Sequence, residues 1–443
     1  MPDPYLLQIP TPSLVVLIGA SGAGKSTFAA RHFEATEVVS SDRCRGLVCD
    51  DETDQSVHRQ AFEVVHAIVR ARLEIGKLTV VDATNVKNES REPLVRLARE
   101  ADLFAIAIVL DVPARVCEER TRRRSDRNIG RNSIIGQAQR LRRSLGSLEH
   151  QGFQAVHVLT QETIDSVRIE RRPLITNMRD DHGPFDIIGD VHGCMEELGE
   201  LLDLLGYRRT AAGTRLHSQG RRAIFLGDLV DRGPDSVGVL KTAITMCAAG
   251  SALCVPGNHD VKLLKKLLGG DVRIAHGLAL TLAQIDALSD TERSVFIDET
   301  VFFLEGLISH YVLDDGKLVV AHAGLKREYQ GRSSKRVRDF ALYGDTTGET
   351  DEFGLPVRRD WALDYRGDAL VVYGHTPRAE PEWINDTVNI DTGCVFGGKL
   401  SALRYPEREI VAVPARKTYA ESKRPFLKSS VAPDDHDREI PPR

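Results

Sequence analysis

Two sets of residues in this chain have the types and spacing to act on phosphate. The first is Gly19-Ala-Ser-Gly22-Ala-Gly24-Lys25-Ser26-Thr27, which carries the GxxxxGK[ST] spacing of a phosphate cradle. Glycines let successive backbone N–H groups turn inward on an anion, Lys25 reaches the β- and γ-phosphates, and the Ser26 hydroxyl ligates Mg2+. The expected ligand is ATP with Mg2+, held through Gly19, Gly22, Gly24, Lys25, Ser26 and Thr27. Asp42, in Ser40-Ser-Asp42-Arg43-Cys-Arg45, follows a short strand and is the candidate base that takes the proton of an acceptor hydroxyl; a helix cap or turn former is the alternative. Asp82 ends the apolar Leu78-Thr-Val-Val81 and either helps to hold Mg2+ or caps a helix.

Residues 115–143 hold ten arginines against three acids and no lysine. Arginine forks onto phosphate oxygens, so the run reads as a lid, with Arg120, Arg124 and Arg127 on one helical side closing over the phosphates. A solvated basic helix is the plainer reading.

The second set consists of five signatures, each after a short apolar strand: Gly189-Asp190-Val-His192-Gly193, Gly227-Asp228-Leu-Val-Asp231-Arg232-Gly233, Gly257-Asn258-His259-Asp260, His322 in VVAHAG and His375 in VVYGHT. Two neighbouring metal ions need a shared carboxylate with oxygen and imidazole ligands around it. Asp190, His192, Asp228, Asn258, His322 and His375 supply that set, with Asp228 as the bridging ligand. Arg232 is placed to grip phosphate, and His259, oriented by Asp231, to protonate a leaving alkoxide. Asp391 is either a supporting carboxylate or a turn former, and the lysines of 261–310 either a phosphate rim or a solvated face.

Strands must present these groups. Apolar runs at 13–18, 37–40, 78–82, 103–111 and 155–159 alternate with amphipathic stretches at 55–75, 88–101, 113–124 and 133–149, which predicts a parallel sheet with helices on both faces. The expected organisation is a P-loop kinase domain over 1–172, a linker over 173–184, a binuclear metallophosphoesterase α/β sandwich over 185–415 and a flexible charged tail over 416–443. A length of 443 residues suits two or three domains, and 42% hydrophobic residues with a net charge of −5 exclude a disordered or fibrous chain. Runs such as Leu103–Leu110 fall far short of the roughly 20 residues that span a bilayer, so no membrane partner is expected and the location expected is cytoplasmic. Seven scattered cysteines without a CxxC pair read as reduced thiols.

The run GASGAGKST, the block VVSSDRCRGLVCDDETDQ, VVDATN and the arginine lid, followed by GDVHG, GDLVDRGPDS, GNHD, VAHAG and YGHT, closely resemble the bacterial polynucleotide kinase-phosphatases of RNA repair. The resemblance covers roughly residues 10–405. It implies end healing: phosphorylation of a 5′-OH and removal of a 2′,3′-cyclic, 3′ or 2′ phosphate, with Mn2+ or Ni2+ in the phosphatase. It also implies that Arg45 contacts the acceptor, that RNA or DNA ends are the partners, and that the chain forms a homodimer or higher oligomer. The chain departs from the best-known members in lacking a KxDG motif, so a separate ligase is expected. A small-molecule kinase fused to a dinucleoside tetraphosphatase or a Ser/Thr phosphatase-like hydrolase would share both motif sets, and an RNA-binding or regulatory ATP module is a further alternative.

Overall fold

Ser13–Ile18 is buried at all six positions, as befits a central strand covered on both faces. The computed structural model describes residues 5–123, 129–211, 213–352, 354 and 356–422. They divide into two compact units, one running to Leu174 and including Arg332–Ser334, the other taking the rest from Ile175 onward. Among the described residues no helix is long and apolar enough to cross a membrane, and all seven cysteines are free thiols.

The first unit runs β1 (Leu6–Thr11), β2 (Ser13–Ile18), α1 (Lys25–His32), β3 (Val38–Ser40), α2 (Ser41–Cys49), α3 (His58–Glu74), β4 (Thr79–Asp82), α4 (Asn88–Glu100), β5 (Phe104–Asp111), α5 (Ala114–Arg122), α6 (Arg131–Ser144), β6 (Ala155–Thr160) and β7 (Arg168–Pro173). Five strands form a parallel sheet in the order β3-β4-β2-β5-β6. The period of two divides β2 between two cores. Leu14, Val16 and Ile18 pack with Val65 and Val69 of α3 and Leu94 of α4, whereas Val15 and Leu17 pack with Phe28 of α1 and Ile134 of α6. Each fully buried Leu or Val contributes about 1.5–3 kcal/mol.

The charged stretch Arg168–Pro173 is a strand, β7, parallel to β1. Periodicity missed this pair because an edge ribbon with one exposed face needs few apolar residues. Part of the expected linker is also strand: Asn177–Met178 (β8) pairs with His310–Leu313.

The second unit continues with β9 (Phe185–Ile188), α7 (Met195–Leu205), β10 (Tyr207–Arg209), β11 (Arg215–His217), β12 (Arg222–Phe225), α8 (Ser236–Ala248), β13 (Ala252–Cys254), α9 (Asn258–Leu267), α10 (Leu278–Asp286), α11 (Asp290–Gly306), β14 (His310–Leu313) and β15 (Leu318–Ala321). It ends with α12 (Lys335–Tyr343), β16 (Asp345–Thr350), β17 (Pro356–Arg359), β18 (Leu370–Tyr373), β19 (Glu382–Ile384), β20 (Thr387–Asn389), β21 (Lys399–Tyr405) and β22 (Glu409–Pro414). Two mixed sheets, β13-β12-β9-β21-β22 and β19-β20-β18-β15-β14-β8, share a core of alternate residues, including Phe185, Ile187, Ile224, Leu318, Val320 and Val372. Helices α7, α8, α10 and α11 cover the first sheet and α12 covers the second.

The expectation of a flexible tail from 416 needs correction. The Arg416 amide and the Tyr419 hydroxyl donate to Glu197 Oε1 at 3.0 and 2.7 Å, and the Tyr419 and Ala420 amides donate to the Val395 carbonyl. A buried carboxylate fixes a segment whose composition alone reads as loose; residues 423–443 lie outside the described ones.

Candidate active sites

The first site grows from the carboxyl end of β2. Gly22 (φ +83°) and Gly24 (φ +100°) take left-handed conformations, and a Cβ on Gly22 would stand 2.3 Å from the Cys117 carbonyl oxygen; only glycine lets the loop pass so close to α5. Gly24 caps α1 without a side chain over its first N–H groups, so the helix start is available to an anion. These features fit a nucleotide polyphosphate. Lys25 folds back over the loop, its Nζ donating to the Gly19 and Ala20 carbonyls at 2.9 and 3.0 Å.

Asp42 lies in the first turn of α2 while Ser40 takes the cap position, so the capping alternative for Asp42 is not the one realised. Its Oδ1 accepts from Arg45 Nη1 at 2.7 Å, and Arg45, almost fully buried, also donates to the Glu52 carbonyl at 2.6 Å. Asp82 ends β4, opposite Leu17 of β2 and Ser40 of β3; the following helix starts only at Asn88, so Asp82 is not its cap. A cleft of about 1570 Å³ gathers Gly22, Gly24, Lys25, Ser26, Thr27, Asp42, Arg45, Asp82, Arg120 and Arg140. Ser26 and Asp82 bring a hydroxyl and a carboxylate to the same cleft, donor types that suit Mg2+.

The arginine run is less uniform than its composition. Arg120 donates to the Ala23 carbonyl at 3.3 Å, and Arg140 lines the cleft. Arg122 and Arg131 pair with Glu118, Arg123 with Glu119 and Arg142 with Asp111. Arg124 and Arg127 lie outside the described residues.

The second site collects the carboxyl ends of parallel strands from both sheets: Asp190 and His192 after β9, Asp228 after β12, Asn258 after β13, His322 after β15 and His375 after β18. His192 Nδ1 donates to the Val230 carbonyl and His322 Nδ1 to the Leu226 carbonyl, both at 2.8 Å. A carbonyl only accepts, so each Nε2 presents a lone pair. These lone pairs face Asp228 Oδ2 at 3.5 and 3.6 Å. His322 Nε2 also stands 3.2 Å from Asn258 Oδ1 and 2.9 Å from His375 Nδ1. Acceptors ligating one cation at about 2.1 Å stand roughly 3–3.5 Å apart, so the spacing fits metal. His192, Asp228 and His259 form one group close enough to hold a cation and Asp228, His322 and His375 another, so Asp228 is common to both groups. Asp190 lies alongside, accepting from the His375 amide at 3.1 Å.

The charges agree. Burial pushes the carboxyls of Asp190, Asp228 and Asp391 well above the usual carboxylate range, and neighbouring carboxylates add to the rise at Asp190. Burial pushes His192, His322 and His375 down. Carboxyls that resist ionising beside imidazoles that resist protonation are a donor set that suits divalent cations. The backbone is strained at the same residues: His192 (φ 45°), Asp228 (46°), Asp231 (74°), Arg232 (71°) and His375 (72°) have positive φ, at about 1–3 kcal/mol each. Glycines keep the approach narrow, since a Cβ on Gly257 would meet Asp228 Oδ1 at 2.2 Å.

Residues 183–379 match the calcineurin-like phosphoesterase family model and residues 14–150 the AAA domain model. An asymmetrical bis(5′-nucleosyl)-tetraphosphatase, PrpE, of Anoxybacillus flavithermus is 50% identical over 243 residues, which cover 55% of this chain and 99% of that protein. The chain belongs to the calcineurin-like phosphoesterase family. PrpE of Bacillus subtilis is 46% identical over 239 residues, 54% of this chain and 98% of that protein. A solved structure of a candidate diadenosine tetraphosphatase has a TM-score of 0.40 at 25% identity, covering 55% of this chain and 99% of that one. The two PrpE relatives match the phosphoesterase half; together with the kinase-like P-loop domain before it, that half makes the chain an enzyme of phosphotransfer and hydrolysis.

Within the phosphoesterase centre Arg232 bridges two imidazoles, its guanidinium donating to His192 Nε2 and to His259 Nε2, the latter at 2.9 Å, and it lies over the Phe396 ring at 5.3 Å. His259 Nδ1 donates to Asp231 Oδ2 at 2.6 Å. Its Nε2 is therefore an acceptor here, and burial with Arg232 holds its pKa well below the usual value. The alkoxide-protonating role expected of His259 thus requires Arg232 to move onto phosphate first.

Sequence reasoning overlooked several supports. Gln137 Oε1 accepts from the Ser21 amide at 2.8 Å, hidden inside the arginine run. Thr281 donates to Asp231 Oδ1 at 2.8 Å, and a Cβ on Gly277 would stand 2.3 Å from the Arg232 nitrogen, so the 261–310 insert buttresses the catalytic loop. Its Lys262 turns to the Ala275 carbonyl at 2.6 Å. Asp260 accepts from the Leu229 and Gly257 amides, tying together the loops of Asp228 and Asn258. Nothing in residue type marks these partners, since their roles depend on long-range packing.

Proposed function

We propose that the chain heals polynucleotide ends: its P-loop half phosphorylates a 5′-OH with ATP and Mg2+, and its phosphoesterase half removes a 3′, 2′ or 2′,3′-cyclic phosphate. The observation that carries the reading is the cleft of about 1570 Å³ holding both the phosphate cradle and the Asp42–Arg45 pair. One small ligand fills roughly 300–1000 Å³, so donor and a larger acceptor fit together. In this reading Lys25 exchanges its two carbonyl partners for phosphate oxygens, and Asp42, oriented by Arg45, takes the proton of the attacking hydroxyl. In the other half, divalent ions, Mn2+ or Ni2+ by family likeness, would be held by Asp190, His192, Asp228, Asn258, His322 and His375, with His259 outside the ligand set, and would supply Lewis-acid polarisation of the phosphoryl group. Arg232 binds a phosphate oxygen, which frees His259 Nε2 to carry a proton to the leaving alkoxide. The two activities make sense together only on different positions of one substrate, because on the same position they would merely hydrolyse ATP. A ligase activity would then seal the ends.

The tetraphosphatase names of the PrpE relatives favour a second reading, hydrolysis of dinucleoside tetraphosphates at the same metal centre. Measuring kcat/KM for a 3′-phosphate oligonucleotide against diadenosine tetraphosphate decides between them. End healing predicts the oligonucleotide at least tenfold ahead; the reverse ratio gives the site to the tetraphosphate.

A further inference from the structure

Helix α3 carries two stripes one residue apart. Ala61, Val65, Val69 and Leu73 are buried in the core. Beside them, His58, Phe62 and His66 recur every four residues and line the P-loop cleft. Their rings form a ladder, with centroids 4.6 Å apart between His58 and Phe62 and 6.1 Å apart between Phe62 and His66. His58 is exposed at one end, whereas Phe62 and His66 are half-buried. His66 Nε2 is buried without a hydrogen-bond partner. Burial lowers the pKa of both histidines, helped at His58 by the charges of Arg45 and Lys87, so neutral ring faces line this wall at neutral pH. Arg45 and Lys87 place the ladder on the Asp42 side of the cleft; Arg45 is held by Asp42 and the Glu52 carbonyl, and the exposed Lys87 supplies positive charge for a backbone phosphate. Phe62 packs against the core beneath α3 and lines the cleft with the same ring, and His58 and His66 flank it on the cleft side.

We propose that His58, Phe62 and His66 form a stacking floor for the bases of a single-stranded acceptor whose 5′-OH reaches Asp42. The inference rests on the polynucleotide reading and deepens it: stacking tolerates any base, since every base has a π-face, and it rewards a polymer over an isolated hydroxyl.

The test measures kinase kinetics with a 5′-OH oligonucleotide and with the same strand made abasic at its first two nucleotides. The wild-type protein should show a KM about tenfold lower for the base-bearing strand, the order expected from about 1–3 kcal/mol per stacked base. Phe62→Leu keeps apolar volume against the core, and His58→Ala removes an exposed ring; each should narrow that difference while moving the KM for ATP less. Equal wild-type KM values for the two strands overturn the stacking floor and leave the polynucleotide reading intact. So does a variant whose change falls on ATP, which would assign the rings to the donor base. A wild-type protein that phosphorylates neither strand but accepts a small alcohol overturns both.

Discussion

The two phosphate-handling regions use different materials. At the P-loop, backbone holds the geometry: Gly22 and Gly24 adopt conformations that other residues resist, the start of α1 offers its N–H groups, and Lys25 rests on two carbonyls until phosphate arrives. At the phosphoesterase centre, side chains do so: imidazole lone pairs, fixed by carbonyls behind them, converge on a buried carboxylate. The first region is a folded turn whose donors are neighbours in sequence. The second draws its donors from the strand ends of both sheets, with positive φ at His192, Asp228, Asp231, Arg232 and His375. A site made of backbone is legible as a short motif, while one made of side chains is dispersed over five strand ends.

That contrast can be broken by measurement. The largest effect is expected from Asp228→Ala, which removes the ligand shared by both clusters: phosphate release should fall on the order of 10⁴-fold, about 5.5 kcal/mol of barrier, while 5′ phosphorylation continues. Equal loss of both activities would show that the regions are not independent. Asp42→Ala should slow the kinase about 10²–10³-fold, the usual contribution of a general base, and spare phosphate release; an unaffected kinase would return Asp42 to a structural role. Gln137→Ala, which removes one neutral hydrogen bond worth about 1 kcal/mol behind the Ser21 amide, should raise the KM for ATP by roughly two- to fivefold without altering hydrolysis. No change there would mean that the glycine turn holds itself.

Much of the fold was readable because both regions sit at strand ends with strong local signals. The run SLVVLI before the glycines and the four-residue runs before each metal ligand predict their strands within one or two residues. The parts that escaped depend on partners far away in sequence. β7 is a charged ribbon that exists only because β1 pairs with it; Arg416–Ala420 is ordered by Glu197 and Val395; Thr281 matters only because α10 packs beside Asp231. The arginine run shows a third kind of failure. Its composition announces charge but not direction, and Arg122, Arg123, Arg131 and Arg142 go to neighbouring carboxylates while Arg120 and Arg140 face the cleft.

The central claim is that the two regions act on different ends of one substrate. It is tested most directly with an RNA oligonucleotide carrying a 5′-OH and a 2′,3′-cyclic phosphate, incubated with ATP, Mg2+ and Mn2+ and read by mass at each end. The account predicts a phosphate gained at the 5′ end and one lost at the other, with Asp42→Ala blocking only the gain and Asp228→Ala only the loss. An oligonucleotide unchanged at both ends, in a preparation that cleaves diadenosine tetraphosphate, would contradict it.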